Sequence, residues 1–176
     1  MNPVLENKLA QLDREREAMY QTVAELSEAE LHDQAYGWSI IQVFAHLNAA
    51  EIGSVNYMRK KMQAGDQMKN FSIGNRLRAL LSNGLLKSSL RWKAPKFVSN
   101  PEDQHTLEEM KALWANTREE TKTYVAEYPE KYLAKAVYKH PFAGRLDLAR
   151  AIDSLTYHQR HHMHQIKRIK KVLGKK

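Results

Sequence analysis

Apolar residues recur every three or four positions along four long stretches of this chain, and no stretch alternates convincingly with period two. At helical pitch, that spacing places each set on one stripe. In the first stretch the stripe is Leu5, Leu9, Leu12, Met19, Val23 and Leu26. It follows Asn2-Pro3, and proline suits the first helical position because its missing N–H would be unpaired there. Ser27 and Glu30 have capping-box spacing for a short extra turn. The second stretch opens with a Ser39…Gln42 capping box, framed by Trp38 and Val43 at hydrophobic-staple positions. Ile40, Phe44, Leu47, Val55, Met58 and Met62 form its apolar face, and Gly65 is a natural stop. The third starts at Thr106…Glu109, carries Leu107, Met110, Trp114, Thr117, Thr121, Tyr124 and Tyr128, and closes at Pro129. The last runs from about Asp147 to Leu173.

Helices with a single apolar stripe must bury it against one another. The expected fold is therefore all-α, a four-helix bundle making a single domain over residues 1–176. Residues 66–100 are less regular and read as a long crossover or cap between the second and third helices. A helical piece is expected there from Ser72 to Leu86. His140-Pro141-Phe142-Ala143-Gly144 reads as a loop.

The chain has no cysteine, which excludes disulfides, thiolate nucleophiles and Cys-rich zinc sites. Any metal must be held by His, Asp or Glu. The apolar runs are too short to span a bilayer and the N-terminus opens into polar residues, so the expected location is cytoplasmic, without membrane contact. The net charge of +8 is uneven. Residues 67–101 contain no acid and carry +7, from Lys69, Arg76, Arg78, Lys87, Arg91, Lys93 and Lys96. After Asp153 a second acid-free segment carries another +7, leaving −6 for the rest. Such asymmetry attracts anions, or simply makes a solvated basic face. No nucleic-acid-binding motif accompanies it, which argues against nucleic acid as the partner.

Four of the eight histidines fall between His158 and His164. On the helical wheel His162 lies roughly 25° and His158 roughly 65° from the centre of the last helix's stripe, while His161 is roughly 125° away and His164 nearly opposite. The inward pair is spaced i, i+4, so it can converge on one ion from one face, or be packed as hydrogen-bonded core. His161 and His164 are expected at the surface. His46 flanks the apolar stripe of the second helix, at the edge of its buried face, which permits a third ligand without demanding one. His32, His105 and His140 fall in connections.

Trp38-Ser39, then His46-Leu47, then His158-x-x-x-His162-x-x-Gln165-Ile166 resemble the DinB/YfiT-like superfamily of four-helix metalloproteins, as does His140-Pro141-Phe142-Ala143-Gly144-Arg145-Leu146. The resemblance covers the whole chain in helix order. It implies an up-down-down-up bundle and a divalent ion, zinc or nickel, held by His46, His158 and His162. His164 departs from the family, which often has glycine there. The resemblance also implies a small-molecule substrate. Members that this chain resembles include thiol transferases using glutathione, bacillithiol or mycothiol, and a mycothiol-dependent isomerase.

Three imidazoles leave coordination positions open for water or substrate, the arrangement of a catalytic ion. Gln159 follows the first ligand where an HExxH helix has its glutamate, so the motif contains no general base. Glu51 lies on the second helix's buried face. It is either a carboxylate serving the site or an ion-pair partner, with Arg16 on the first helix the expected mate. Gln42 reads as a cap, Trp38 as a packing anchor, and Tyr57 as too distant from His46. The leading functional expectation is a divalent-metal-dependent transferase or hydrolase. Non-catalytic metal-binding or stress-associated binding is the first alternative, and a basic-surface nucleic-acid binder the second. Homodimerisation through an exposed face is compatible with a bundle of this size.

Overall fold

The computed structural model describes residues 2–35, 37–72, 74, 101, 103–141 and 143–174. Helix α1 spans Pro3–Val23, α2 Glu28–Leu31, α3 Ile40–Met62, α4 Leu107–Ala126 and α5 Leu148–Leu173. Local chemistry sets their starts. Ser27, Ser39 and Thr106 each accept from the backbone N–H three residues on, while Glu30, Gln42 and Glu109 return the bond, so all three expected capping boxes form. Asn2 and Asp147 cap α1 and α5 through their side chains.

Contacts between helices fix their directions. Lys8 meets Asp153 at 2.6 Å, Glu15 meets Arg160 at 2.7 Å, and the Thr22 carbonyl meets Lys170 at 2.8 Å, so α1 and α5 run parallel. Gln42 reaches the Pro101 carbonyl at 3.2 Å, Glu51 meets Arg118 at 2.7 Å and Arg59 meets Glu120 at 3.2 Å, so α3 and α4 also run parallel. Asp13 meets Arg118 at 2.6 Å and Arg16 meets the Trp114 carbonyl at 3.0 Å, which sets α1 against α4. The four long helices run up, down, down and up. Parallel neighbours joined in sequence force the chain to travel back along α3, about 34 Å at 1.5 Å per residue. A connection of at least about ten residues is required, and residues 63–106 supply it. The helix expected over Ser72–Leu86 lies almost wholly outside the described residues.

One expectation is corrected. The stretch read as a loop, His140–Gly144, joins and ends in the strands of an antiparallel hairpin, β1 (Tyr138–His140) with β2 (Gly144–Leu146), pairing Tyr138 with Leu146 and His140 with Gly144. Gly144 has φ of 75°, where a side chain would be strained. Three-residue strands are too short to show a period. The hairpin packs across α3 and α5.

The core divides in two. One apolar cluster joins Leu5, Leu9, Leu12, Met58, Tyr124, Ile152 and Leu155; the other joins Met19, Val23, Phe44, Leu47, Trp114, Ile166 and Ile169. Each fully buried side chain of this kind contributes about 1.5–3 kcal/mol. Between the clusters lies a layer of buried polar groups that includes Glu51, Arg118, Thr121, Gln159 and His162.

Candidate metal centre

That polar layer has two sides. On one, α3 presents Glu51 to α4. Its Oε1 accepts from Arg118 Nε at 2.7 Å and Thr121 Oγ1 at 2.9 Å; its Oε2 accepts from Trp114 Nε1 at 2.9 Å and Arg118 Nη2 at 3.0 Å. Burial alone would raise this carboxyl's pKa, but the Arg118 bonds and charge outweigh it and hold it below the usual value. With its acceptor capacity used, Glu51 does not serve as a base for the neighbouring site. Its expected mate Arg16 instead bonds the Trp114 carbonyl and Asp13. The signal for the true partner was present. Arg118 stands four residues after Trp114, beside the apolar stripe of its own helix.

On the other side, α3 and α5 run antiparallel and bring three imidazoles together. His46 Nε2 lies 3.2 Å from His158 Nε2, and His162 Nε2 lies 3.1 Å from the same atom. One ligand atom from each of the three falls within 4.8 Å of the others. His46 and His162 are buried and His158 is half-buried. A single Nε2 has either one proton or one lone pair in the ring plane, so His158 cannot satisfy both neighbours by hydrogen bonding. A cation between them would satisfy all three. Two nitrogens bound tetrahedrally at about 2.0–2.1 Å from zinc stand about 3.3–3.4 Å apart, close to the two edges that meet at His158 Nε2. The donor set therefore fits a divalent ion.

Burial, together with the neighbouring imidazoles, disfavours a proton here. Desolvation, with His162 and His46 beside it, holds His158 well below the ordinary histidine value. Desolvation, followed by the His46 charge, lowers His162 to about 3. His158 and His162 are thus suited to offer lone pairs at neutral pH.

The surroundings are aromatic and polar. Trp38 lies nearly parallel to His162, 13° between planes at 6.5 Å, and tilts against His46 at 5.0 Å, so it walls two rings as well as anchoring the helix start. The Nδ1 of His162 stands 2.8 Å from Gln165 Oε1. Nothing in the motif alone gives Gln165 a role, although its i+3 spacing from His162 was an available signal. His140 lies on β1 rather than in a loop. Its Nδ1 accepts from the Ala143 N–H at 3.0 Å, and desolvation lowers its pKa to about 4. On the same face of β1, two residues earlier, Tyr138 Oη meets Ser54 Oγ of α3 at 3.0 Å.

The other histidines separate by position. His164 is exposed, as expected. His161 is only half-buried but sits against His162, ring centres 5.3 Å apart, rather than at the open surface. His32 pairs with Asp103 at 3.2 Å, in a cluster that also takes Ser39 and Gln34. Tyr57 is exposed and stacks edge-on with Tyr138 at 5.6 Å, away from the three-histidine cluster.

No curated protein matches this sequence. Among solved structures, the chain is similar to YfiT from Bacillus subtilis, described as a probable metal-dependent hydrolase with an unusual four-helix bundle topology. The two share 15% identity and a TM-score of 0.53, over 96% of this chain and 87% of YfiT, a likeness of fold. The family model of the DinB superfamily matches residues 11–166, the span from α1 to the end of the histidine cluster, and the chain belongs to that superfamily.

Proposed function

We propose that this protein is a divalent-metal-dependent enzyme acting on a small molecule, with the ion held by Nε2 of His46, His158 and His162. The observation that carries this reading is the meeting of three Nε2 atoms, 3.1 and 3.2 Å apart along two edges, in a buried polar layer. An ion bound there supplies Lewis acidity for polarising a carbonyl or lowering the pKa of a coordinated water or thiol. The chain's own residues do the rest. Burial keeps His158 and His162 neutral, the Trp38 indole shields His46 and His162 from water on one side, and the β-hairpin packs across α3 and α5.

Imidazole suits both zinc and nickel, and either serves this reading. Hydrolysis is the leading reaction class, in keeping with the description of YfiT. Transfer of a low-molecular-weight thiol is the second, supported by the acid-free basic segments of residues 67–101 and 154–176, which would attract its carboxylates. We take residues 1–176 as one domain working in the cytoplasm. No described helix is long and apolar enough to cross a membrane.

Elemental analysis of tag-free protein tests the site. Near-stoichiometric metal is expected, lost in His46→Ala, His158→Ala and His162→Ala and retained in His164→Ala, whose residue is exposed. Parallel assays with ester, amide and thiol-acceptor substrates, before and after chelation, then separate hydrolysis from transfer. Absence of metal after reconstitution with zinc and nickel would return the three histidines to core packing and favour a non-catalytic binding role.

A further inference from the structure

We propose that Gln165 decides which ring nitrogen of His162 carries the proton, and so presents Nε2 as the ligand atom; the inference rests on the three-histidine reading above. Gln165 follows His162 by three residues on α5, so both lie on one helix face. Long side chains of a helix lean toward its N-terminus, which lays Gln165 back over the preceding turn. Its Oε1 ends 2.8 Å from His162 Nδ1. A carboxamide oxygen has no proton to give, so this bond requires the hydrogen on Nδ1. The lone pair then sits on Nε2, the atom 3.1 Å from His158 Nε2. With the amide turned over, its NH2 would face Nδ1 and the proton would sit on Nε2, pointing into the cluster and blocking ligation.

The choice of amide over carboxylate also has a consequence. A carboxylate at this position would hold the same tautomer but add negative charge, making the imidazole a stronger donor and neutralising part of an ion's charge. The neutral Gln165 orients the ring and leaves that charge available to substrate. Gln165 is thus a positioning residue that acts through His162.

Two variants and two readouts test this. Gln165→Leu removes the acceptor at similar volume, and Gln165→Glu keeps it. Long-range 1H–15N NMR of the metal-free protein reports the His162 tautomer, and competition with a chromophoric chelator reports cobalt(II) affinity. Wild type should show Nδ1–H. Gln165→Leu should show a mixed or reversed tautomer and bind cobalt about 10–100-fold more weakly, with its metal-free thermal midpoint unchanged. Gln165→Glu should restore Nδ1–H and bind at least as tightly as wild type. An Nε2–H tautomer in wild type would overturn the proposal. So would Gln165→Leu with wild-type affinity, or a loss of affinity that Gln165→Glu does not restore. Wild type with Nδ1–H but no cobalt binding would instead overturn the metal reading and leave the tautomer control standing.

Discussion

Arg118 Nε donates to Glu51 Oε1 across 2.7 Å, and both side chains are shut off from solvent. The pair joins α4 to α3 at the level of the histidine cluster, five residues after His46. Because Asp13 of α1 also bonds Arg118, at 2.6 Å, one guanidinium fixes the roll of three helices. The ion pair therefore bears on where His46 points, although it never touches the cluster.

Glu51→Ala leaves Arg118 buried with Asp13 as its remaining carboxylate. Truncating one member of a buried pair costs about 3–5 kcal/mol, and the surviving partner places this variant toward the lower end. Urea denaturation at neutral pH measures it. The pH dependence has a definite sign. Glu51's folded pKa is depressed, so its contribution is complete above the ordinary value of 4.5 and is lost as pH falls through the folded value. Glu51→Gln should be less stable than wild type at neutral pH, and the gap should narrow on acidification.

Metal should stabilise the fold it binds. Zinc at a hundred times its Kd adds about 2.7 kcal/mol, which for a chain of this size raises Tm by about 5–10 °C. Differential scanning fluorimetry of tag-free protein should show the rise, a chelator should reverse it, and His162→Ala should not respond. An equal rise in His162→Ala would assign the effect to adventitious binding elsewhere.

Ser39 Oγ accepts from the Gln42 N–H at 3.1 Å and donates to Asp103 near the end of the crossover. The residue is wholly buried. Ser39→Ala removes a cap and strips a partner from Asp103, with an expected cost of about 1–3 kcal/mol. Ser39→Thr should recover most of it in chemical denaturation, because the hydroxyl returns.

Trp38 faces two of the three histidine rings. Nickel or cobalt bound among those rings should quench its fluorescence. The change should vanish in Trp38→Phe. A metal response that survives loss of Trp38 would place the ion elsewhere.

The ends of the helices were legible because they are written in neighbouring residues. Ser27 with Glu30, Ser39 with Gln42 and Thr106 with Glu109 close their capping boxes over three positions, so near neighbours in the chain suffice to specify them. The inward turn of His158 and His162 was legible for a related reason: helical pitch alone puts them on the buried face. The hairpin at 138–146 was not. Its strands are three residues long, too few to show alternation, and they exist because α3 and α5 offer a groove to lie across.

Partnership across helices is where sequence periodicity stops. A wheel says that Glu51 faces inward, and it marks Arg16 as readily as Arg118 as a mate. Only the rotation and height of α1, α3 and α4 decide that Arg118 takes the carboxylate while Arg16 caps the Trp114 carbonyl. By itself the sequence determined where helices begin, which faces are apolar and which histidines point inward, because those are interactions among near neighbours in the chain. The tertiary structure decided that His46 meets His158 at 3.2 Å and that His162 stands 3.1 Å from the same nitrogen. Such distances depend on how whole helices slide and roll against one another, and no local pattern encodes that.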